Sequence, residues 1–62
     1  MDHEHPMYCY RGSIYFVNVD NRGMFQSTGT VRSPGGFFLS PFQRNIDGAH
    51  QYAKRAIDLK LN

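Results

Sequence analysis

The chain has 62 residues, a formal charge of +2 and a hydrophobic content of 40%. These values indicate one small globular domain and exclude a disordered chain. A domain of this size buries only about 60% of the surface that its unfolded chain exposes. The single cysteine, Cys9, excludes an internal disulfide, so stability has to come from close packing or from a partner. We therefore expect self-association.

No apolar run is longer than Ile14–Val17, which is far shorter than the roughly 20 residues that a membrane-spanning helix needs. The first residues are polar and acidic, unlike a signal peptide or a transit peptide. We expect the single thiol, Cys9, to be reduced. The sequence therefore predicts a cytoplasmic protein without a membrane partner.

The N-terminal half of the chain is predicted to form a tail followed by strands. Residues 1–7 are predicted to form a polar tail, and residues 8–62 a single domain. Residues 8–20 are rich in aromatic and β-branched side chains, which favour a half-buried strand. Gly12 suggests a bulge or a bend, so we predict a short extended segment and then a strand from Ser13.

Two turns separate the predicted strands. Asp20-Asn21-Arg22-Gly23 combines an Asx side chain with a glycine that can adopt a positive φ after a type I turn. The segment Met24–Arg32 is the second predicted strand, which makes the first pair a hairpin. Ser33-Pro34-Gly35-Gly36 suits a type II turn, and Phe37–Leu39 is the third predicted strand.

The C-terminal third of the chain has helical periodicity. Ser40 is a candidate N-cap, followed by Pro41 at the first helical position and Gln43 as a capping-box residue. Gly48 costs about 1 kcal/mol inside a helix, so an alternative start has Asn45 as the cap. The apolar stripe contains Phe42, Ile46, Ala49, Ala53, Ala56, Ile57 and Leu61.

The predicted fold class is therefore α+β, with a three-stranded antiparallel meander and one C-terminal amphipathic helix packed on one face. The helix-facing core is expected to come from alternate strand positions and from the helical stripe. Its predicted members are Tyr15, Val17, Val19, Phe25, Val31, Phe37 or Phe38, Ile46, Ala49, Ala53, Ala56 and Ile57.

The strand that starts at Ser13 is apolar on both sides, whereas one helix covers only one face of a sheet. The second side receives Ile14 and Phe16, together with Tyr8 and Tyr10 if the alternation continues through Gly12. Two interpretations stay open. In the first, the N-terminal tail folds across this side or its isolated aromatic side chains are simply tolerated on the surface. In the second, the side is an interaction surface for a protein partner, in the simplest case a second copy.

Nucleic-acid binding is the alternative function. A three-stranded sheet followed by a helix occurs in double-stranded-RNA-binding domains and in the arm-binding domains of some integrases. Aromatic side chains on a sheet face, such as Tyr8, Tyr10 and Phe16, could stack on bases. The candidate phosphate contacts are Arg11, Arg22, Arg32 and Arg44, although basic residues spread along the chain are also typical of a solvated surface.

Candidate chemistry is sparse. Asp47, His50 and Lys54 share one helical face, where solvated pairing is a simpler interpretation than an oriented general base. Cys9 has no base beside it in the sequence. His3 matches the pattern of an amino-terminal copper or nickel site, which we interpret as incidental. We expect no enzyme activity, no cofactor and no bound metal.

Three short motifs suggest a resemblance. Tyr10-Arg11-Gly12 precedes a strand pair, Pro34-Gly35-Gly36-Phe37 precedes the helix, and Ala53-Lys54-Arg55-Ala56-Ile57-Asp58 lies near its end. In this layout, residues 8–58 resemble small uncharacterised bacterial β-β-β-α domains of unknown function. The resemblance implies a fold and no activity, because that family has none assigned. We expect a non-catalytic binding domain that forms homodimers through the uncovered sheet face or a strand edge.

Overall fold

The computed structural model describes residues 7–31 and 36–61. Its strands form one antiparallel sheet of four strands in chain order, and a helix follows them. The α+β class and the C-terminal helix are confirmed, but the sheet has four strands where the sequence predicted three. The elements are β1 (Met7–Tyr10), β2 (Ser13–Val19), β3 (Phe25–Thr30), β4 (Phe37–Leu39) and α1 (Ile46–Leu61).

The additional strand, β1, follows from the geometry of residues 11 and 12. Arg11 and Gly12 both have positive φ, at 54° and 78°, and they join Tyr10 to its cross-strand partner Ser13. Positive φ at both central residues is what a two-residue hairpin turn requires. The predicted bend at Gly12 is therefore a complete chain reversal. Met7, which was assigned to the tail, begins β1.

The second hairpin forms where the sequence predicted it. The Gly23 N–H donates to the Asp20 carbonyl at 3.1 Å, and Gly23 has φ +81°. The Asp20 carboxylate accepts the N–H groups of Arg22 and Met24, each at 2.9 Å. These bonds, above all that from Met24, hold the pKa of Asp20 below its ordinary value.

The helix begins later than the Ser40–Pro41 start that the sequence favoured. Ser40 extends the pairing of β4 with β3: its N–H donates to the Ser27 carbonyl, and its hydroxyl accepts the Ser27 N–H, each at 2.8 Å. The Gly48 N–H donates to Asn45 Oδ1 at 3.0 Å, as an N-cap requires. The alternative start at Asn45 is confirmed, because Ser40 is engaged across the sheet.

The core lies between α1 and one face of the sheet. Two predicted members, Val19 and Ile46, are 61% and 41% exposed, because they occupy the ends of β2 and α1, at the margin of the packed area. Phe25 and Ala56 are half-buried, and of the two alternatives Phe38 is the buried phenylalanine. The buried apolar residues are Tyr15, Val17, Val31, Phe38, Ala49, Ala53 and Ile57.

Candidate interaction surface

The face of the sheet opposite α1 carries no element of the described structure. Cross-strand partners share a face in an antiparallel sheet, so the strand registers define its members. We call this surface the open face. Its residues are Met7, Cys9, Ile14, Phe16, Asn18, Gln26, Thr28, Thr30, Phe37 and Leu39.

The open face is apolar and exposed. Met7 and Phe37 are 65% and 62% exposed, and Leu39 and Ile14 are 55% and 41% exposed. Together with the half-buried Phe16, several of these side chains line a shallow depression of about 430 Å³. None of the residues that define the open face is Asp, Glu, Lys, Arg or His. Contiguous apolar surface of this kind is typical of interaction sites.

Ile14 and Phe16 lie on this face as the sequence predicted, but Tyr8 and Tyr10 do not. Strict alternation through Gly12 would keep all four side chains on one side. The hairpin turn instead pairs Tyr8 with Tyr15, so β1 presents both of its tyrosines to α1. The proposed interaction surface therefore has to be corrected at these two positions.

The two tyrosines of β1 pack against the helix. The Tyr8 ring stacks on Tyr15 at a centroid distance of 5.3 Å and meets the His50 ring edge-on at 4.5 Å. The Tyr10 hydroxyl donates to both carboxylate oxygens of Asp58 at 3.1 Å. Aromatic pairs in this geometry stabilise a fold beyond the area that they bury. Both side chains therefore hold α1 to the sheet.

The helical face that contains His50 is also part of this packing. His50 Nδ1 lies 2.8 Å from the Tyr15 hydroxyl, so the imidazole is oriented by the sheet. Lys54 Nζ lies 5.8 Å from the centre of the Tyr10 ring, a cation–π distance. The structure thus gives His50 and Lys54 a packing role, and it does not build a dyad of His50 with Asp47.

Two of the arginines proposed for phosphate contacts form ion pairs. Arg11 Nη1 donates to Asp58 Oδ1 at 2.7 Å. Arg22 Nη2 donates to Asp20 Oδ2 at 2.9 Å, within the β2–β3 turn. Both charges are therefore partly neutralised by a neighbouring carboxylate.

The arginines are also dispersed. Arg11 and Arg22 lie in turns at opposite ends of β2, a strand of seven residues that is roughly 20 Å long at the usual rise. Arg44 is exposed just before α1. Arg32 lies outside the described residues. The described arginines do not form the concentrated basic surface that is typical of nucleic-acid binders.

Asp58 joins the β1–β2 turn to the helix. Its pKa is lowered, first by the hydrogen bond from Arg11 and less strongly by that from Tyr10, and burial opposes them with an effect that ranks between the two. The same contact raises the pKa of the Tyr10 hydroxyl, because the phenol donates to a carboxylate. Asp58 therefore favours the folded state most when it is ionised.

Acidification is expected to weaken this contact. A carboxylate whose pKa is lower in the folded chain adds stability that is fully present above its unfolded value, about 3.9, and that is lost as the pH falls through its folded value. Thermal unfolding of Asp58→Asn, followed by circular dichroism between about pH 5 and pH 2, should show a shallower loss of Tm than the unaltered chain. Superimposable slopes would contradict the role given to Asp58.

The described part of the chain has neither a metal-binding cluster nor a membrane-spanning helix. Residues 7–31 and 36–61 contain no group of three or more His, Cys, Asp or Glu side chains placed to hold a metal ion. No helix within these ranges is long and apolar enough to cross a membrane. The predicted pattern at His3 lies outside the described residues.

Several open-face residues were not among the predicted site residues, namely Met7, Phe37 and Leu39. The alternation of Phe37 and Leu39 within β4 was a usable signal, but the face they occupy follows from their pairing with β3. Comparison with protein-family models, with curated proteins and with solved structures found no match. The resemblance to bacterial β-β-β-α domains therefore stays a prediction. The open face is the feature of the structure that bears on function.

Proposed function

We propose that this chain is a small non-catalytic binding domain that self-associates by packing its open face against the open face of a second copy. One observation carries the proposal: the sheet face opposite α1 exposes Met7, Ile14, Phe37 and Leu39 without a charged side chain among its members. Burying such a face removes apolar surface from water at about 25 cal/mol per Å².

A second copy is the favoured occupant because the open face is uncharged. Like charges that meet across an interface cost several kcal/mol, and a symmetric pair brings the same patch of both copies together, so charges of one sign on that patch would face one another. An uncharged apolar face avoids that repulsion. Two such faces can stack with their strands roughly aligned, about 10 Å apart, as in a β-sandwich.

The size of the face sets the expected affinity. With strands of four, seven, six and three residues, usual spacings give each copy a face of roughly 300 Å² in projection. The buried area then falls at the small end of specific interfaces, where association is weak or transient. We therefore expect a dissociation constant on the order of tens of micromolar.

Nucleic-acid binding receives less support. Tyr8 and Tyr10, which were proposed to stack on bases, pack against α1. Arg11 and Arg22 are paired with carboxylates at opposite ends of the sheet. Stacking platforms and basic grooves need exposed rings and unpaired cations close together.

A charge placed on the open face is expected to prevent this association. Ile14→Lys adds an ammonium group to the middle of the face, and Thr30→Lys does the same at an exposed position of β3 that is less critical for folding. Each should raise the dissociation constant at least about tenfold, because the charge would be buried without a partner. Sedimentation velocity over a concentration series measures the change.

Gln51→Lys is the matched control, since it adds the same charge on the exposed side of α1 and should leave association unchanged. Far-UV circular dichroism verifies that each variant is folded. If Ile14→Lys and Thr30→Lys associate as strongly as the unaltered chain, the open face is not the contact surface.

A further inference from the structure

The outer edge of β4 has a defined hydrogen-bonding pattern. The Ser40 N–H donates to the Ser27 carbonyl at 2.8 Å, and the Val31 N–H donates to the Gly36 carbonyl at 3.0 Å. Hydrogen-bonded and non-hydrogen-bonded pairs alternate along an antiparallel ladder. The pair Gly29 and Phe38 lies midway between these two bonds and is therefore also a hydrogen-bonded pair. The N–H and C=O groups of Phe38 thus point toward β3. Those of the two flanking residues point outward.

The outward groups belong to Phe37 and Leu39. In the described part of the chain, β4 is an edge strand that pairs with β3, so these N–H and C=O groups face away from the sheet. The strand Phe37-Phe38-Leu39 contains no charge and no proline. Charge and proline are two of the devices with which proteins block an edge against pairing with another strand, and the three-residue length of β4 limits such pairing to a short ladder.

The flank of α1 on the β4 side exposes large apolar side chains beside polar ones. Gln43, which pairs with β3 on the same side as β4, has its side chain against Gly48, and this contact identifies the flank. One and three turns further along lie Tyr52 and Leu59, which are 39% and 70% exposed. They line a groove of about 230 Å³ together with Ala56 and Arg55.

The opposite flank of α1, above β1, is closed by polar and aromatic contacts. Asp58 accepts hydrogen bonds from Tyr10, and Lys54 lies over the same ring. His50 meets the Tyr8 ring. The side chains of α1 on its β1 side therefore have partners on the sheet, whereas large apolar side chains stay exposed on its β4 side. The strand edge below them has no charged residue and no proline.

We propose that the β4 edge and the helix flank above it form a second self-association surface, on which a second copy adds its own β4. Antiparallel pairing about a twofold axis at Phe38 sets Phe37 opposite Leu39 of the other copy. Each such pair exchanges two hydrogen bonds. The two sheets then join into one, and the apolar open face continues across the junction.

The spacing of the two helices fits this arrangement. If each α1 lies above its own β3, the helix axes are separated by three strand spacings, or about 14 Å. Closely packed helices lie 8–10 Å apart, so long side chains have to fill the gap. Tyr52 and Leu59 project from the facing flanks and are long enough to do so. A pair of small residues would leave a void there.

This contact is separate from stacking of the open faces and does not depend on it. Each surface alone would give a symmetric dimer. Both together would give a tetramer with dihedral symmetry, in which two joined sheets stack face to face. The two contacts can therefore be removed one at a time.

The test measures mass and amide exchange in a common Ile14→Lys background, in which the open-face contact is removed. The inference expects the amides of Phe37 and Leu39 to exchange at least about tenfold more slowly at millimolar than at low micromolar concentration. Adding Leu59→Lys should abolish that slowing and return the mass to that of one chain. Adding Asn21→Lys, a control that places the same charge at an exposed position of the β2–β3 turn, outside β4 and α1, should change neither.

The outcomes separate this inference from the proposed function. An Ile14→Lys chain that stays monomeric, with the same exchange of both amides at every concentration, would overturn the edge contact and leave the open-face contact intact. Dissociation of the unaltered chain by Leu59→Lys but not by Ile14→Lys would support the edge contact and contradict the open-face contact. Tyr52→Lys is a second flank variant in case Leu59→Lys does not fold.

Discussion

Replacing Ile57 by alanine is expected to unfold a large fraction of the chain at 25 °C. Ile57 has no exposed surface and projects from α1 into the core. An Ile-to-Ala truncation at such a position costs about 2–5 kcal/mol. A domain of 62 residues has a total stability of about 3–9 kcal/mol at usual values per residue. The free energy of unfolding, measured by urea denaturation at low micromolar concentration, should therefore fall by most of its value.

Ile46→Ala is the matched control for this effect. It removes the same atoms from the same helix at a position that is 41% exposed, and we expect a loss of about 1 kcal/mol or less. Equal losses in the two variants would mean that Ile57 is not the centre of the core.

Replacing Gly29 by alanine is expected to destabilise the sheet by about 1–3 kcal/mol. A Cβ at this position would lie 2.6 Å from the Ile14 carbonyl oxygen and 2.7 Å from Tyr15 Cβ. Neither atom can move without disturbing the pairing of β2 with β3, in which Tyr15 is the partner of Gly29. Residue 29 has to be glycine because the buried Tyr15 occupies the space that a side chain would need.

Gly48→Ala gives the opposite expectation for the same chemical change. Its Cβ would meet the Gln43 side chain at 3.1 Å or more, and that side chain can shift by a few tenths of an ångström. Alanine is favoured over glycine inside a helix by about 1 kcal/mol, so Gly48→Ala should be at least as stable as the unaltered chain. Gly29→Ala with unchanged stability in urea denaturation would contradict the close approach of β2 and β3.

The parts of the fold that sequence reasoning predicted are those that depend on local chemistry. The second hairpin formed as expected because Asp20 and Gly23 supply both the side-chain acceptor and the positive φ. The first hairpin was missed because Arg11-Gly12 lacks the Asn-Gly or Asp-Gly signature of a two-residue turn. That omission also reversed the predicted faces of Tyr8 and Tyr10, since the two-residue turn pairs them with Tyr15 and Ser13, and cross-strand partners share a face.

The remaining differences depend on contacts between distant residues. Ser40 has the sequence pattern of an N-cap, but its hydroxyl accepts the backbone N–H of Ser27. No local rule predicts that competition. Ile14 and Phe16 were assigned to the interaction surface from β2 alone, whereas Met7 and Phe37 join it only through the strand pairing. Sequence alone therefore identified the existence of a second apolar face more reliably than its full membership.

We propose that the sheet face left uncovered by the single helix is covered by another molecule of the same chain. Sedimentation equilibrium of the unaltered chain, from about 5 to about 500 µM at moderate salt, tests it most directly. We expect the weight-average mass to rise with concentration from that of one chain to that of at least two. A mass equal to one chain throughout this range would contradict the account.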